Sequence, residues 1–351
     1  MSISRIVLHP APGEMRAAAF DADGEPVRLF LERWGGDDPG LRLGQKVLAR
    51  LREHDPRAGG AFLEASAGQA VFIRGDLPKG LSQGAEATIE ICAEARRDKL
   101  ARGVWSEPSE PEHEDAFSSW LASLPGKTPG AETASSPADF DLVATAFDAA
   151  LSQQAGLPKG GLVRLERTTA LIAADIDTAG RQQKGSAAAR ALSTNKEAVR
   201  TIARLLALKD WGGLAVIDCI GPLNADAKGQ LRETFLRSFG EMSSRKAEAL
   251  KPSSFGLLEA KLEWGATPIE DRLLDGAGSP TPDTELLDLF RAAEREAVAD
   301  RTGFFRLTLS PQALKAYIGR RKACDAILQD AFSGRVSIAS GTGEQSVVRR
   351  A

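Results

Sequence analysis

The chain has 351 residues, 42% of them hydrophobic and 26% charged, with a formal net charge of −3. That length allows two or three domains with proper cores. The mild acidity argues against a strongly non-specific nucleic-acid binder but leaves room for a local basic groove. The apolar runs are far too short to span a membrane, and residues 1–10 lack a charged stretch followed by a long apolar one. Neither a membrane span nor a secretory signal is therefore expected. Cys92, Cys219 and Cys324 are the three cysteines and form no CxxC pair. This argues against a zinc site and a disulfide framework, and suits a cytoplasmic protein. His9, His54 and His113 are the three histidines. All precede the aspartate-bearing centre of the chain, which disfavours a histidine-based hydrolase.

In chain order, residues 1–36 read as a β-meander, with a turn signal at Asp21-Ala22-Asp23-Gly24. Residues 37–104 read as a small barrel of short strands separated by glycine-rich turns. Phe62 and Phe72 sit on successive strands there. Exposed aromatics on an OB-type barrel stack on bases, and Arg74, Arg97, Lys99 and Arg102 would hold the backbone. The competing reading places both phenylalanines in the core. Residues 105–138 are rich in Pro, Ser, Gly and acid and read as linker or loop, with a short amphipathic piece at AFSSWLASL. Residues 139–154 read as an amphipathic helix that opens a unit extending to residue 275. Residues 276–340 read as a small α/β segment, in which Ser310-Pro311 opens the single helix QALKAYIGRRKACDAILQDAF. The tail 341–351 is expected to be disordered.

The chemistry concentrates in residues 168–222. Two apolar runs flank one helix, and each ends in aspartate: Asp175 and Asp177 in the first, Asp218 in the second. Thr194-Asn195-Lys196-Glu197 fits a capping box that opens the helix, and Gly212-Gly213 supplies the stop. Strand, helix and strand suggest a crossover between parallel neighbours, which end on the side where open α/β sheets place ligands. Asp175 and Asp218 would then converge, and Asp177 would join them if the strand stays extended. Converging carboxylates repel unless they share a proton or hold a cation. With oxygen ligands alone the cation would be Mg²⁺ or Mn²⁺. The bland alternative is that the aspartates simply end strands and begin loops. Lys228, Arg232, Arg237, Arg245 and Lys246 follow on a predicted helix that would either hold a nucleic-acid backbone or face solvent. Glu259, on the strand FGLLEAKLEW, is a further candidate for the acidic cluster.

The blocks LPKGGLVRLERTTALIAADIDT, TNKEAVRTIARLLALKDWGGLAVIDCI and FGLLE, in that order, resemble the catalytic domain of the ribonuclease E/G family. The resemblance implies a DNase I-like catalytic fold in which Asp175 and Asp218 bind the Mg²⁺ used to cleave single-stranded RNA. It also implies an OB-type barrel inside an RNase H-like domain, with Phe62, Phe72 and Lys99 as RNA-binding residues. Products would carry 5′-phosphate and 3′-hydroxyl ends. The implied class is a multidomain α+β or α/β protein: a meander, an RNA-binding barrel, a DNase I-like domain and a small C-terminal α/β segment.

This sequence departs from the family pattern in several places. Asp177 stands where the family usually has Asn. Gly221 replaces an aspartate, Ser254 a basic residue, and AKLEW an arginine-rich segment. Most of the RNase H-like region and its 5′-monophosphate pocket is expected to be missing. The CPxC motif is absent, so no zinc-linked dimer is expected. The favoured expectation is a Mg²⁺-dependent endoribonuclease. The alternatives are a non-catalytic RNA-binding protein derived from such an enzyme, and a phosphodiesterase acting on another substrate such as single-stranded DNA.

Overall fold

A computed structural model describes residues 3–36, 40–65, 68–96, 99–107, 115–181 and 184–350. β1 (Ile3–Ala11), β2 (Glu14–Asp21) and β3 (Pro26–Arg33) form the predicted meander. Its second turn is closed by the Asp21 carboxylate, which accepts from the backbone of Asp23 and Glu25. A closed barrel follows, made of β4 (Lys46–Asp55), β5 (Gly60–Ala65), β6 (Ala70–Arg74), β7 (Glu86–Ala93) and β8 (Ala101–Trp105). Its order is β4-β5-β6-β8-β7, with β6 and β8 parallel. Leu51, Leu63, Val71, Ile73, Ile89 and Ile91 fill its interior.

The chain then returns to the first sheet. α1 (Ala116–Ser123) is capped by Asp115, and its Phe117 and Trp120 pack on Phe30. β9 (Ala131–Thr133) runs parallel to β1. The stretch 105–138, expected to be linker, thus contains a helix and a strand. Composition misleads here because β9 has three exposed side chains and no apolar pattern, while its backbone still pairs. The four-stranded sheet β3-β2-β1-β9 is therefore interrupted by the barrel, which sits in the chain between β3 and β9. α2 (Pro137–Leu151) opens on a capping box of Ser136 and Asp139. It packs against β1, β2 and β3, not against the later sheet with which its sequence position groups it.

The second sheet has six strands. β10 (Gln154–Gly156), β11 (Leu162–Arg167) and β12 (Ile172–Asp177) are antiparallel neighbours. α3 (Ala187–Leu208) then leads to β13 (Gly213–Asp218), which lies parallel to β12. α4 (Ala225–Met242), β14 (Ala247–Ala249) and β15 (Leu257–Leu262) complete the order β10-β11-β12-β13-β15-β14. α3 begins earlier than its sequence pattern predicts. Ser186 is its cap, and Thr194 and Asn195 are buried within it. Their side chains serve other partners: Thr194 bonds back to Arg190 O, and Asn195 reaches the loop after β13. At the other end Asp210 takes the positive φ of 54°, so the helix stops before the two glycines. α3 also packs on β3, and one continuous core spans the first sheet, α2, α3, α4 and the inner face of the second sheet.

α5 (Ile269–Leu273) leads to the C-terminal unit of α6 (Pro282–Ala299), β16 (Phe304–Leu309), α7 (Pro311–Gly319), α8 (Arg321–Phe332), β17 (Val336–Ser340) and β18 (Ser346–Arg350). The single helix predicted after Ser310 is two helices, broken at Arg320. The tail expected to be disordered contributes β18, which pairs antiparallel with β16. Its Ser-Val-Val-Arg run is too short to announce a strand, yet β16 offers it an open edge. Trp34 of the first segment joins the core of this unit. Among the described residues no helix is long and apolar enough to cross a membrane.

A buried lysine beneath the second sheet supports a pH test. Lys209 is 2% exposed, and its ammonium donates to the carbonyls of Ala150 and Ser152 at 2.6 Å each. Burial pushes it down from 10.5 to about 8, with Glu270 opposing the shift and Arg167 adding to it. Between those values the unfolded chain keeps a proton that the folded chain has released. Stability from this group therefore rises with pH through that window. Urea unfolding should find wild type gaining on Lys209→Met from about pH 8 upward. A difference that shrinks over the same range would contradict a depressed lysine.

Candidate functional site

β12 alternates strictly: Ile172, Ala174 and Ile176 are buried, and Ala173, Asp175 and Asp177 are exposed. On β13, Ala215 and Ile217 are buried and Asp218 is exposed. α3 and α4 pack on the buried side, so the aspartates stand on the opposite face. The β12–β13 ladder pairs Ile172 with Ala215, Ala173 with Val216 and Ala174 with Ile217. The next step of that register sets Asp175 beside Asp218, at the carboxyl ends of parallel neighbours. Neighbouring strands lie about 4.8 Å apart. Two exposed carboxylates at that spacing repel by about 1 kcal/mol in water. Among the described residues neither carboxylate takes a hydrogen bond or ion pair. Exposed, unengaged oxygen donors of this kind fit a hard divalent ion that retains most of its water.

Asp177 and Glu259 lie on the same face but do not extend the pair into a larger cluster. No group of three or more His, Cys, Asp or Glu placed to share a metal ion occurs among the described residues. Asp177 instead accepts from Ala179 N at 2.8 Å, bending the chain away after β12. Glu259 stands opposite Val216, one step back from the strand end. The Cys219 thiol is pushed up to about 12 by burial and then by Asp218, so it offers no nucleophile.

The surrounding loops are firmly held. Asn195, fully buried, donates to Ile220 O at 2.8 Å and accepts from Ile220 N at 2.9 Å, fixing the chain just past Asp218. Arg181 pairs with Glu197 and donates to Gly160 O, while Glu197 accepts from Lys159 N. Gly161 has φ +83°, and a Cβ there would lie 2.5 Å from Asp177 O, so only glycine permits this approach. Sequence reading misplaced Asn195 because it fits a helix cap equally well. The predicted basic helix is largely structural. Lys228 donates to Ser253 O, Arg232 to Ala249 O, and Arg245 is buried against Trp211 O, Glu263 O and Leu206 O. Arg237 and Lys246 face solvent. Arg164, which stands opposite Asp175 in the β11–β12 ladder, is an exposed cation that no local pattern singles out.

On the barrel, Phe62 and Phe72 are directly paired on β5 and β6, with ring centroids 5.1 Å apart. Both are half-buried, whereas Ala61, Leu63, Val71 and Ile73 beside them are core. The rings therefore lie on the outer face. Gly60 leaves room for them, since a Cβ there would come within 2.7 Å of the Phe72 ring. Arg102 pairs with Phe72 across β8, and Arg74 is exposed opposite Gly60. Lys99 is exposed on the turn that bridges to Arg96; Arg97 lies outside the described residues. Arg96 stacks over Trp264 at 3.8 Å, and Glu94 accepts from Thr267 N, tying this turn to the loop after β15. That loop follows the end of β15 paired with Gly213, whereas Asp218 pairs with Leu257 at the other end. The barrel turn is thus anchored a full strand length from the aspartates, roughly 17–20 Å.

Residues 131–261 match the family model of the Ribonuclease E/G family. Over this segment, just over a third of its length, the chain is similar to the ribonuclease E/G family. The matched segment runs from β9 to β15 and contains both aspartates and Asn195. Ribonuclease E of Buchnera aphidicola is 29% identical over 205 residues, 56% of this chain and 22% of the relative. Ribonuclease E of Haemophilus influenzae is 30% identical over 200 residues, 52% of this chain and 20% of the relative. For Ribonuclease E of Escherichia coli the figures are 29% over 190 residues, 52% and 18%. Each alignment thus covers about a fifth of these longer ribonuclease E chains.

Proposed function

We propose that this chain is a Mg²⁺-dependent endoribonuclease acting on single-stranded RNA. The observation that carries the reading is the β12–β13 register, which sets two unengaged aspartates side by side within the ribonuclease E/G segment. Asp175 and Asp218 would hold the ion, with Asp177 helping through water. When bound, Mg²⁺ supplies Lewis-acid chemistry at a phosphodiester. The chain's own residues position the substrate. Arg164 stands beside the pair as a cation for a phosphate oxygen, and Asn195 holds the loop beyond Asp218 so that its carboxylate cannot swing away. A sheet with helices on one face and acidic strand ends on the other supports the DNase I-like reading.

The barrel is the proposed RNA grip. Its order, first-second-third-fifth-fourth with closure on the first, supports an OB-type assignment. Phe62 and Phe72 lie on its second and third strands, the surface such barrels use for oligonucleotides. Lys99 and Arg102 add positive charge at its edge. The separation between barrel turn and aspartates implies a bound strand of several nucleotides. Phe62→Ala and Phe72→Ala should each weaken single-stranded RNA binding about tenfold, since one base stack is worth roughly 1–3 kcal/mol. Filter binding in EDTA checks this, and unchanged affinity in both would remove the barrel from the binding surface.

A second reading, an RNA-binding protein that does not cleave, is favoured by one observation. Lys228 and Arg232 near the site hold backbone carbonyls, and Ser254 stands where the family has a cation. Labelled single-stranded RNA incubated with and without Mg²⁺, comparing wild type with the Asp175→Asn/Asp218→Asn double variant, separates the two. Competition with single-stranded DNA tests the substrate class.

A further inference from the structure

Phe255 is 87% exposed, more than any other large hydrophobic side chain among the described residues. A lone exposed apolar residue on a loose loop would need no explanation. This one sits on a fixed turn. Ser253 N donates to Leu257 O, Gly256 N to Ser253 O, and Phe255 N to Ser253 Oγ. Lys228 clamps the turn from α4 through Ser253 O at 2.6 Å. Cys219 N donates to Gly256 O at 3.1 Å, and Asp218 pairs with Leu257. Gly256 has φ +88°, and a Cβ there would lie 3.0 Å from Cys219 O. The backbone that carries Phe255 is thus bonded to the residue following Asp218.

We infer that Phe255 is a positioning residue that stacks on the nucleobase next to the phosphate presented to Asp175 and Asp218. This rests on the endoribonuclease reading of that site. The exposed ring gains little from water, and fixing it beside two carboxylates gains nothing for the fold. Its chain neighbours Ser253, Ser254 and Gly256 add no apolar surface. A nucleobase offers a flat face of matching size whatever its identity. Stacking there would hold the adjoining backbone at the strand ends, where a cation in the Ser254 position is lacking.

The test uses the full chain with Phe255→Ala, Phe255→Leu and Phe255→Trp. The side chain is exposed, so all three should unfold at the wild-type temperature. Phe255→Ala and Phe255→Leu should each lower kcat/KM on single-stranded RNA about tenfold, and Phe255→Trp should retain it. In EDTA, the emission of Phe255→Trp, after subtraction of the wild-type tryptophan signal, should be quenched by a single-stranded oligonucleotide as it saturates. Active wild type with unimpaired Phe255→Ala and unquenched Phe255→Trp overturns the inference and leaves the proposed function standing. Wild type that binds without cleaving leaves the quench to decide. Wild type that neither binds nor cleaves overturns the proposed function and this inference with it.

Discussion

Asp175→Asn should reduce Mg²⁺-dependent cleavage of single-stranded RNA by roughly a thousandfold or more, the scale of several kcal/mol of lost metal assistance. RNA binding in EDTA should stay within about twofold of wild type, because the proposed binding surface lies on the barrel. The fold should not suffer. Asp175 is exposed and unengaged, and removing one of two adjacent carboxylates relieves about 1 kcal/mol of repulsion. The variant should therefore unfold at or slightly above the wild-type temperature without metal. Wild type should gain stability on adding Mg²⁺, and the variant should gain less. A variant that cleaves at the wild-type rate, or gains equally from Mg²⁺, would show that the carboxylates do not hold the ion. Asp218→Asn should behave alike, whereas Asp177→Asn should be milder because that carboxylate already accepts from Ala179 N.

Glu14→Ala should be the most destabilising single change outside the cores. The Glu14 side chain is fully buried and faces three arginines. Arg16 Nε lies 2.6 Å from it, an ion pair not aligned as a hydrogen bond. Arg33 donates to it at 3.3 Å, and Arg291 of α6 closes the group from the C-terminal unit. Burial already pushes Arg16 and Arg291 down to about 9. Asp288, two-fifths exposed, also pairs with Arg16 and Arg291, but removing Glu14 takes away the buried carboxylate they share, a loss of about 3–5 kcal/mol. For a chain of this size the melting temperature should fall by roughly 10 °C, with the C-terminal unit loosening first. Replacing Glu14, Arg16 and Arg291 together by Leu, Met and Met should recover most of the loss. A Glu14→Ala protein that melts with wild type would mean the network adds nothing.

The parts of the site that were legible in the sequence are those governed by local pattern. Alternation in ALIAADID and LAVID marks two strands with aspartates on one face, and the helix between them makes those strands parallel. Phe62 and Phe72 stood out by their place on successive short strands. The errors fall where two local structures share one signature. Thr194-Asn195-Lys196-Glu197 reads as a cap, but Asn195 has a better partner in Ile220, twenty-five residues away. A Pro- and Ser-rich stretch reads as linker, yet β1 has an edge that β9 completes. Lys228 and Arg232 read as a basic face, and only the packed β14–β15 hairpin reveals the carbonyls they hold.

The sequence by itself determined the strand-helix-strand centre, the residues on its two faces and its resemblance to the ribonuclease E/G family. Those follow from side-chain period and turn chemistry, which act over a few residues. Only the tertiary structure decided the β12–β13 register that leads to Asp175 and Asp218, that the barrel interrupts a sheet completed by β9, and that Phe255 is held bare beside the strand ends. Each depends on pairing between segments far apart in the chain, and backbone hydrogen bonds leave no imprint on which side chains are chosen.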